Sequence, residues 1–157
     1  MSCGLFKLTL HKIRNMGRLL AIDYGKKRTG IAVSDPLQMI ANGLTTVPTT
    51  TIFDFLNEYI NKEEVDLIIV GHAIQPNGME SENMKRVTPF VNRLKKLYKD
   101  IPIEYYDERF TSVLAHQAVH ESGISKKRRE TDKGLIDKIS ATILLENYMD
   151  SVYFTRK

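Results

Sequence analysis

The sequence predicts an α/β domain built on a mixed β-sheet flanked by helices. Short apolar runs crowd the first third of the chain with only tight connections between them. Similar runs then alternate with helical patterns. The 157 residues, 42% hydrophobic and 27% charged, suffice for one core rather than two. A chain of this length buries roughly 68–70% of its unfolded surface and needs no covalent staples. Its single cysteine, Cys3, excludes a disulfide framework and a Cys-rich zinc site. The longest apolar runs, Leu19–Ile22 and Leu67–Val70, fall far short of the ~20 residues of a membrane helix. A net charge of +4 is mildly basic and compatible with an anionic partner. A reducing cytoplasm is the compartment expected.

Residues 1–15 read differently from the rest. Met1–Ile22 carries Lys7, Lys12, Arg14 and Arg18 and no acid. It has neither the apolar stretch nor the small-residue cleavage site of a secretory signal. Met16 directly precedes the first strand-like run, so residues 1–15 are expected to be an upstream start or a loose tail. The expected domain is 16–150, with 151–157 as a C-terminal tail.

Arg18–Tyr24 (RLLAIDY) is a continuous apolar run ending in Asp23, as a strand buried on both faces reads. Gly25–Gly30 (GKKRTG) is a turn, Ile31–Ser34 a second strand, and Asp35-Pro36 its stop. Met39–Val47 is a third strand carrying Ile40, Leu44 and Val47. Three short strands with tight connections form an antiparallel meander. Thr50–Asn61 places Ile52, Phe53, Leu56 and Ile60 at helical spacing, with Thr50 or Thr51 as N-cap. Val65–Gly71 is a buried strand. Glu80–Tyr98 is a long helix that Pro89 should kink or restart, at ~3 kcal/mol if left in mid-helix. Ile101–Tyr106 is a strand and Thr111–Glu121 a helix. Gly123–Lys133 is a charged loop. Gly134–Asp150 is a final helix with Leu135, Ile136, Ile139, Ile143 and Leu144 on its core face. The order βββ followed by α-β-α-β-α-α gives five strands: an antiparallel start, then βα units.

Three acidic positions are not explained by solubility. Asp23 ends the first buried strand, Asp107 and Glu108 end another, and Asp137 borders the apolar stripe of the last helix with Ala141, Leu144 and Tyr148 on its side. Individually they read as caps or surface ion pairs. Together they have another reading, because parallel neighbouring strands end at one edge, where open α/β sheets carry their sites. A final helix crossing there would bring Asp23, one of Asp107 and Glu108, and Asp137 together. Such acids repel unless cations neutralise them. Hard divalent ions with oxygen ligands do so, as in two-metal phosphodiester hydrolysis.

Asp23-Tyr24-Gly25-Lys26-Lys27-Arg28-Thr29-Gly30-Ile31-Ala32-Val33-Ser34-Asp35 resembles the D-x-G-x-K-R-x-G-x-A-x-S-D opening of the YqgF (RuvX-like) family. Asp107-Glu108-Arg109-Phe110-Thr111-Ser112 resembles its D-E-R-[LF]-T-[TS] motif. Lys133–Ala141 resembles its K-G-x-x-D-x-x-[AS]-A helix. The likeness runs in order from about Met16 to Asp150. It implies an RNase H-like fold, related to the Holliday-junction resolvase RuvC, and a nuclease that matures the 5′ end of pre-16S rRNA with Mg2+ or Mn2+. By position it implies Asp23, Glu108 and Asp137 as metal-binding catalytic acids, with Asp107 the alternative to Glu108. The family's Leu-Pro and Asn-x-x-Gly stretch departs here to His72-Ala73-Ile74-Gln75-Pro76-Asn77-Gly78.

Lys26, Lys27 and Arg28 would carry cations to the edge beside Asp23 and bind backbone phosphates; the bland alternative is a solvated hairpin tip. Gly25 and Gly30 supply either positive φ or close backbone approach. Lys126, Lys127, Arg128 and Arg129 form the densest basic run, a candidate RNA-docking loop, with Lys133 as a further candidate. Arg109 would position a phosphate or steady Glu108. His116 and His120 share a helical face but lack a third ligand, and read as surface residues. His72 is a weak acid/base candidate. Tyr24, Tyr105 and Tyr106 read as core or rim. The partner expected is RNA, with branched DNA as the alternative substrate, ribosomal or transcription proteins as possible associates, and a monomer or weak homodimer as the state. A non-catalytic nucleic-acid-binding module is disfavoured because an idle domain has no reason to gather repelling acids. An actin- or sugar-kinase-like ATPase would need a second such domain.

Overall fold

The structure is a computed structural model that describes residues 17–72, 82–107, 117–118, 120–121, 123, 125–127 and 132–155. The elements run β1 (Arg18–Tyr24), β2 (Arg28–Ser34), β3 (Ala41–Pro48), α1 (Ile52–Lys62), β4 (Val65–His72), α2 (Glu82–Leu97), β5 (Ile103–Asp107) and α3 (Lys133–Thr155). The strands form one sheet in the order β3-β2-β1-β4-β5. β1–β2 and β2–β3 pair antiparallel, whereas β1–β4 and β4–β5 pair parallel. Connection length dictates this division. Short turns join the antiparallel strands, and α1 and α2 serve as the crossovers that parallel neighbours require. The α/β architecture with its antiparallel start is therefore as expected, and consistent with an RNase H-like fold.

Strand alternation sends side chains to two cores. Leu20, Ile22, Ile31, Val33, Ile68 and Val70 face α1 and α2, meeting Ile52, Leu56, Val87, Phe90, Val91 and Leu94. Leu19, Ala21, Ala32 and Ile69 face α3, meeting Ala141, Leu144 and Leu145. Each fully buried Leu or Ile of these layers contributes about 1.5–3 kcal/mol. The two faces differ in grain. Toward α1 and α2 the sheet presents branched side chains; toward α3 its first three strands present Ala21, Gly30, Ala32 and Gly43. A Cβ on Gly30 would lie 2.0 Å from the Asp137 carbonyl oxygen, and one on Gly43 2.8 Å from the Lys138 side chain. The helix therefore rests almost directly on the strand backbone.

Several local expectations need correction. β2 begins at Arg28, so that residue belongs to the strand and the turn is confined to residues 25–27. β3 begins at Ala41 because the Asp35 carboxylate accepts the N–H groups of Leu37, Met39 and Ile40, and Gln38 turns the chain at φ 57°. Met39 and Ile40 are consequently exposed, and so is Leu44 on this edge strand. Thr51 does not cap α1 through its side chain, which donates instead to the Pro48 carbonyl. A turn of 3-10 helix over Thr49–Thr51 leads into α1 and already occupies the Ile52 N–H. α2 passes through Pro89 without restarting. Pro89 is exposed, so water can reach the backbone carbonyl left without its partner.

α3 continues past Asp150 to Thr155, and its buried side is Ala141, Leu144 and Leu145. Leu135, Ile136, Ile139 and Ile143 are only half-buried. Most of the helix expected over Thr111–Glu121 lies outside the described residues; residues 117–118 and 120–121 are helical. Lys126 and Lys127, expected in a loop, are helical too. Ser125 precedes them in a capping position and lysine is a good helix former. Residues 1–15 also lie outside the described residues. No helix among the described residues is long and apolar enough to cross a membrane.

Candidate active site

Two of the candidate acids converge because glycine separates them. Asp23 lies near the end of β1 and stands opposite Gly30 of β2. Leu19 and Ala21 face α3, so alternation sends Asp23 to that face as well. Gly30 is the residue over which the Asp137 backbone sits. The first turns of α3 are tied down nearby: Thr46 Oγ1 donates to the Gly134 carbonyl at 2.5 Å, and Asp132 Oδ1 accepts the Leu135 N–H at 3.0 Å. Asp23 and Asp137 thus share one face at the carboxyl edge of the parallel strands.

Of the pair Asp107 and Glu108, the phase of β5 places Asp107. Ile103 packs on the α1–α2 side, whereas Tyr106 packs with Tyr148 of α3 and donates its hydroxyl to the Asn147 carbonyl at 3.3 Å. Glu104, two residues earlier, meets the Tyr148 hydroxyl on the same side. Asp107 therefore points to the α1–α2 face, away from Asp23 and Asp137. Glu108 and Arg109 lie outside the described residues, as do Arg128, Arg129 and His116. Among the described residues no three His, Cys, Asp or Glu gather closely enough to hold a metal ion. The acid pair Asp23 and Asp137 is what those residues provide.

Arg28 is not a loose cation at the turn tip. It lies on the α3 side of β2, and its Nε donates to Asp137 Oδ2 at 2.8 Å. The turn before it is clamped by Thr49, which donates its N–H to the Lys27 carbonyl and its hydroxyl to the Gly25 carbonyl, at 3.0 and 2.7 Å. Lys26 and Lys27 are held outward and exposed at the edge beyond Asp23. Gly25 and Gly30 do not have positive φ. Their lack of a side chain admits the Arg28 carbonyl at Gly25 and the Asp137 carbonyl at Gly30. Lys126, Lys127 and Lys133 are exposed.

His72 lies on the α1–α2 side, with its ring 5.2 Å from that of Tyr105, and so stands across the sheet from the two acids. Tyr24 stacks on Phe90 at 4.1 Å, and burial raises its hydroxyl pKa against the opposing charge of Arg86. It is a core-rim residue. Sequence reasoning missed Thr49 and the Arg28–Asp137 pair. The threonine sits in a run of three with nothing local to single it out, and the pair joins residues far apart in the chain.

The family model described as RuvX, Holliday junction resolvase, matches residues 17–151. A candidate pre-16S rRNA nuclease of Phocaeicola vulgatus is 61% identical over 136 residues, covering 87% of this chain and 97% of that protein. A protein of the same description from Bacteroides thetaiotaomicron is 57% identical over 139 residues, 88% of this chain and 100% of its own. One from Flavobacterium johnsoniae is 50% identical over the same length and shares.

Proposed function

Because the chain belongs to the RuvX family, we propose that it is a Mg2+- or Mn2+-dependent endonuclease that cuts structured RNA in the 5′-end maturation of pre-16S rRNA in the cytoplasm. Nuclease chemistry is what its relatives' names carry, and a hydrolase acting on nucleic acid is what the whole-domain similarity supports. The catalytic unit of this reading is the single domain of residues 16–150.

The observation that carries it is the closeness of Asp23 and Asp137 across Gly30. Hard carboxylate oxygens on one face of a sheet edge fit a hard divalent cation. We assign Asp23, Asp137 and Glu108 as the residues that would hold it. Glu108 is preferred because Asp107 falls on the face opposite Tyr106 and Glu104, away from the two acids. When bound, Mg2+ or Mn2+ neutralises these acids, polarises the scissile phosphate and lowers the pKa of the attacking water.

The remaining work falls to the chain. Lys26 and Lys27, exposed beside Asp23, bind backbone phosphates, and Lys133 with Lys126–Arg129 docks the flanking RNA. Phosphate recognition of this kind carries no base specificity, so selection of the cut site rests on the shape of the substrate.

The deciding variant is Asp23→Asn, which keeps the side-chain shape and removes one charge. Without metal its melting temperature should equal or slightly exceed that of the wild type, because a repulsion is relieved. Mn2+-dependent cleavage should fall by orders of magnitude, with RNA affinity changed only modestly. A destabilised variant that still cuts at a near-normal rate per folded molecule would sink the assignment. Running a labelled pre-16S rRNA leader beside a four-way DNA junction separates RNA maturation from the junction resolution in the family's description. Cleavage of the junction alone would overturn the RNA substrate.

A further inference from the structure

The Arg28–Asp137 pair has a consequence for how the acidic site persists without metal. Arg28 reaches Asp137 through Nε alone, and only one carboxylate oxygen, Oδ2, accepts. The pair is open to water on both sides, at 41% and 25% exposure. An ion pair that open to water contributes little to folding. Its position is more informative than its strength. Arg28 lies two residues before Gly30 on the same face of β2, so its charge sits beside the acid and at the mouth of the site that Asp23 shares. Of the three cations in the turn motif it alone turns inward, while Lys26 and Lys27 are exposed.

We infer that Arg28 is a positioning residue and internal counter-cation: it neutralises and orients Asp137 in the metal-free protein and gives up that carboxylate when a divalent ion binds. The inference rests on the metal-site assignment above. Metal uptake is then an exchange of one cation for another at Asp137. A fixed positive charge next to the site opposes the incoming ion, so the guanidinium moderates metal affinity while preventing bare repulsion between Asp23 and Asp137.

The test uses the full-length protein and Mn2+ alone, with calorimetric affinity as the readout. Arg28→Gln removes the competing charge and should bind Mn2+ at least about threefold more tightly, with a larger rise in melting temperature on adding Mn2+. Arg28→Lys retains the charge and should stay within about twofold of the wild type. In the wild type, the Arg28 Nε–H resonance should shift on titration with diamagnetic Mg2+ as the bond to Asp137 is released. That measurement decides the matter even where Arg28→Gln folds poorly. An Arg28→Gln affinity that is unchanged or weaker, or an Nε–H signal indifferent to Mg2+, overturns the exchange and leaves Arg28 a tie between β2 and α3. Wild-type protein whose Mn2+ binding is absent, or unaffected by Asp23→Asn, overturns the metal site itself and this inference with it.

Discussion

Adding one methyl group at Gly30 should disable the site more than it unfolds the protein. In Gly30→Ala the new Cβ would lie 2.0 Å from the Asp137 carbonyl oxygen and 2.4 Å from its carbon, where ordinary packing begins near 3.4 Å. α3 must therefore retreat locally by the difference between 3.4 and 2.0 Å, 1.4 Å. The obstacle is backbone rather than a flexible side-chain tip, which puts the overpacking cost toward the upper end of about 1–3 kcal/mol. Alanine restricts the unfolded chain more than glycine does and returns about 0.4–1 kcal/mol. A net loss of about 2 kcal/mol lowers the melting temperature of a chain this size by about 4–8 °C. The same displacement carries Asp137 away from Asp23, and a misplacement of about 1 Å costs about a hundredfold in rate. Thermal melting and single-turnover Mn2+-dependent cleavage, normalised to folded protein, measure both effects. Gly134→Ala is the internal control: its Cβ would meet Thr46 only at 3.5 Å, so the variant should be neutral or gain up to about 1 kcal/mol with full activity. A Gly30→Ala protein that melts lower yet cuts normally per folded molecule would refute the argument that this glycine sets the position of Asp137. One that matches the wild type in both measurements would refute the close approach itself.

Two further outcomes test other parts of the molecule. Changing Lys126, Lys127, Arg128 and Arg129 together to Ala should weaken RNA binding, and each cation–phosphate pairing removed should flatten the log–log salt slope by about 0.7; an unchanged slope makes the segment a solvated one. Asp35 should produce a pH-dependent term in stability. Hydrogen bonds from the Ile40 N–H first, then those of Met39 and Leu37, depress its pKa below the ordinary 3.8 against an opposing effect of burial. A depressed folded-state pKa means the contribution is complete above the unfolded value and fades as pH falls through the folded one. The melting-temperature gap between wild type and Asp35→Asn should therefore be constant above about pH 5 and shrink below about pH 4, and a gap that widens on acidification contradicts the assignment.

What the sequence made legible is what local pattern controls. β1, β2 and β4 announce themselves as apolar runs, the more polar β3 and β5 are marked by spaced apolar and aromatic residues, and connection length separates antiparallel from parallel neighbours. Four features resisted for physical reasons. α3 carries apolar residues around much of its circumference, so periodicity could not choose between Ile136-Ile139-Ile143 and the Ala141-Leu144-Leu145 side that is buried. The start of β3 was obscured because Met39 and Ile40 are apolar yet displayed on a turn set by the Asp35 carboxylate. Of the candidate site, Asp23 and Asp137 could be named from position and motif, but their juxtaposition depends on the close approach of α3 to Gly30, which the sequence left as an alternative to a positive φ. The face on which Asp107 falls depends on the phase of β5 against the rest of the sheet. That phase is set by where Tyr106 and Ile103 pack, not by anything within the motif.

The close approach of Gly30 and Asp137 also orders events in time. The two acids that meet there belong to the first strand and the last helix, so loop closure across most of the chain must precede their encounter. Synthesis proceeds from the N-terminus, and Asp23 is in place on its strand long before α3 exists to cover it. On the proposed site, a nascent or truncated chain ending before α3 carries the turn cations and Asp23 without Asp137, and should bind a polyanion without cutting it. Cleavage should therefore appear only once the final helix has settled onto the bare strand backbone.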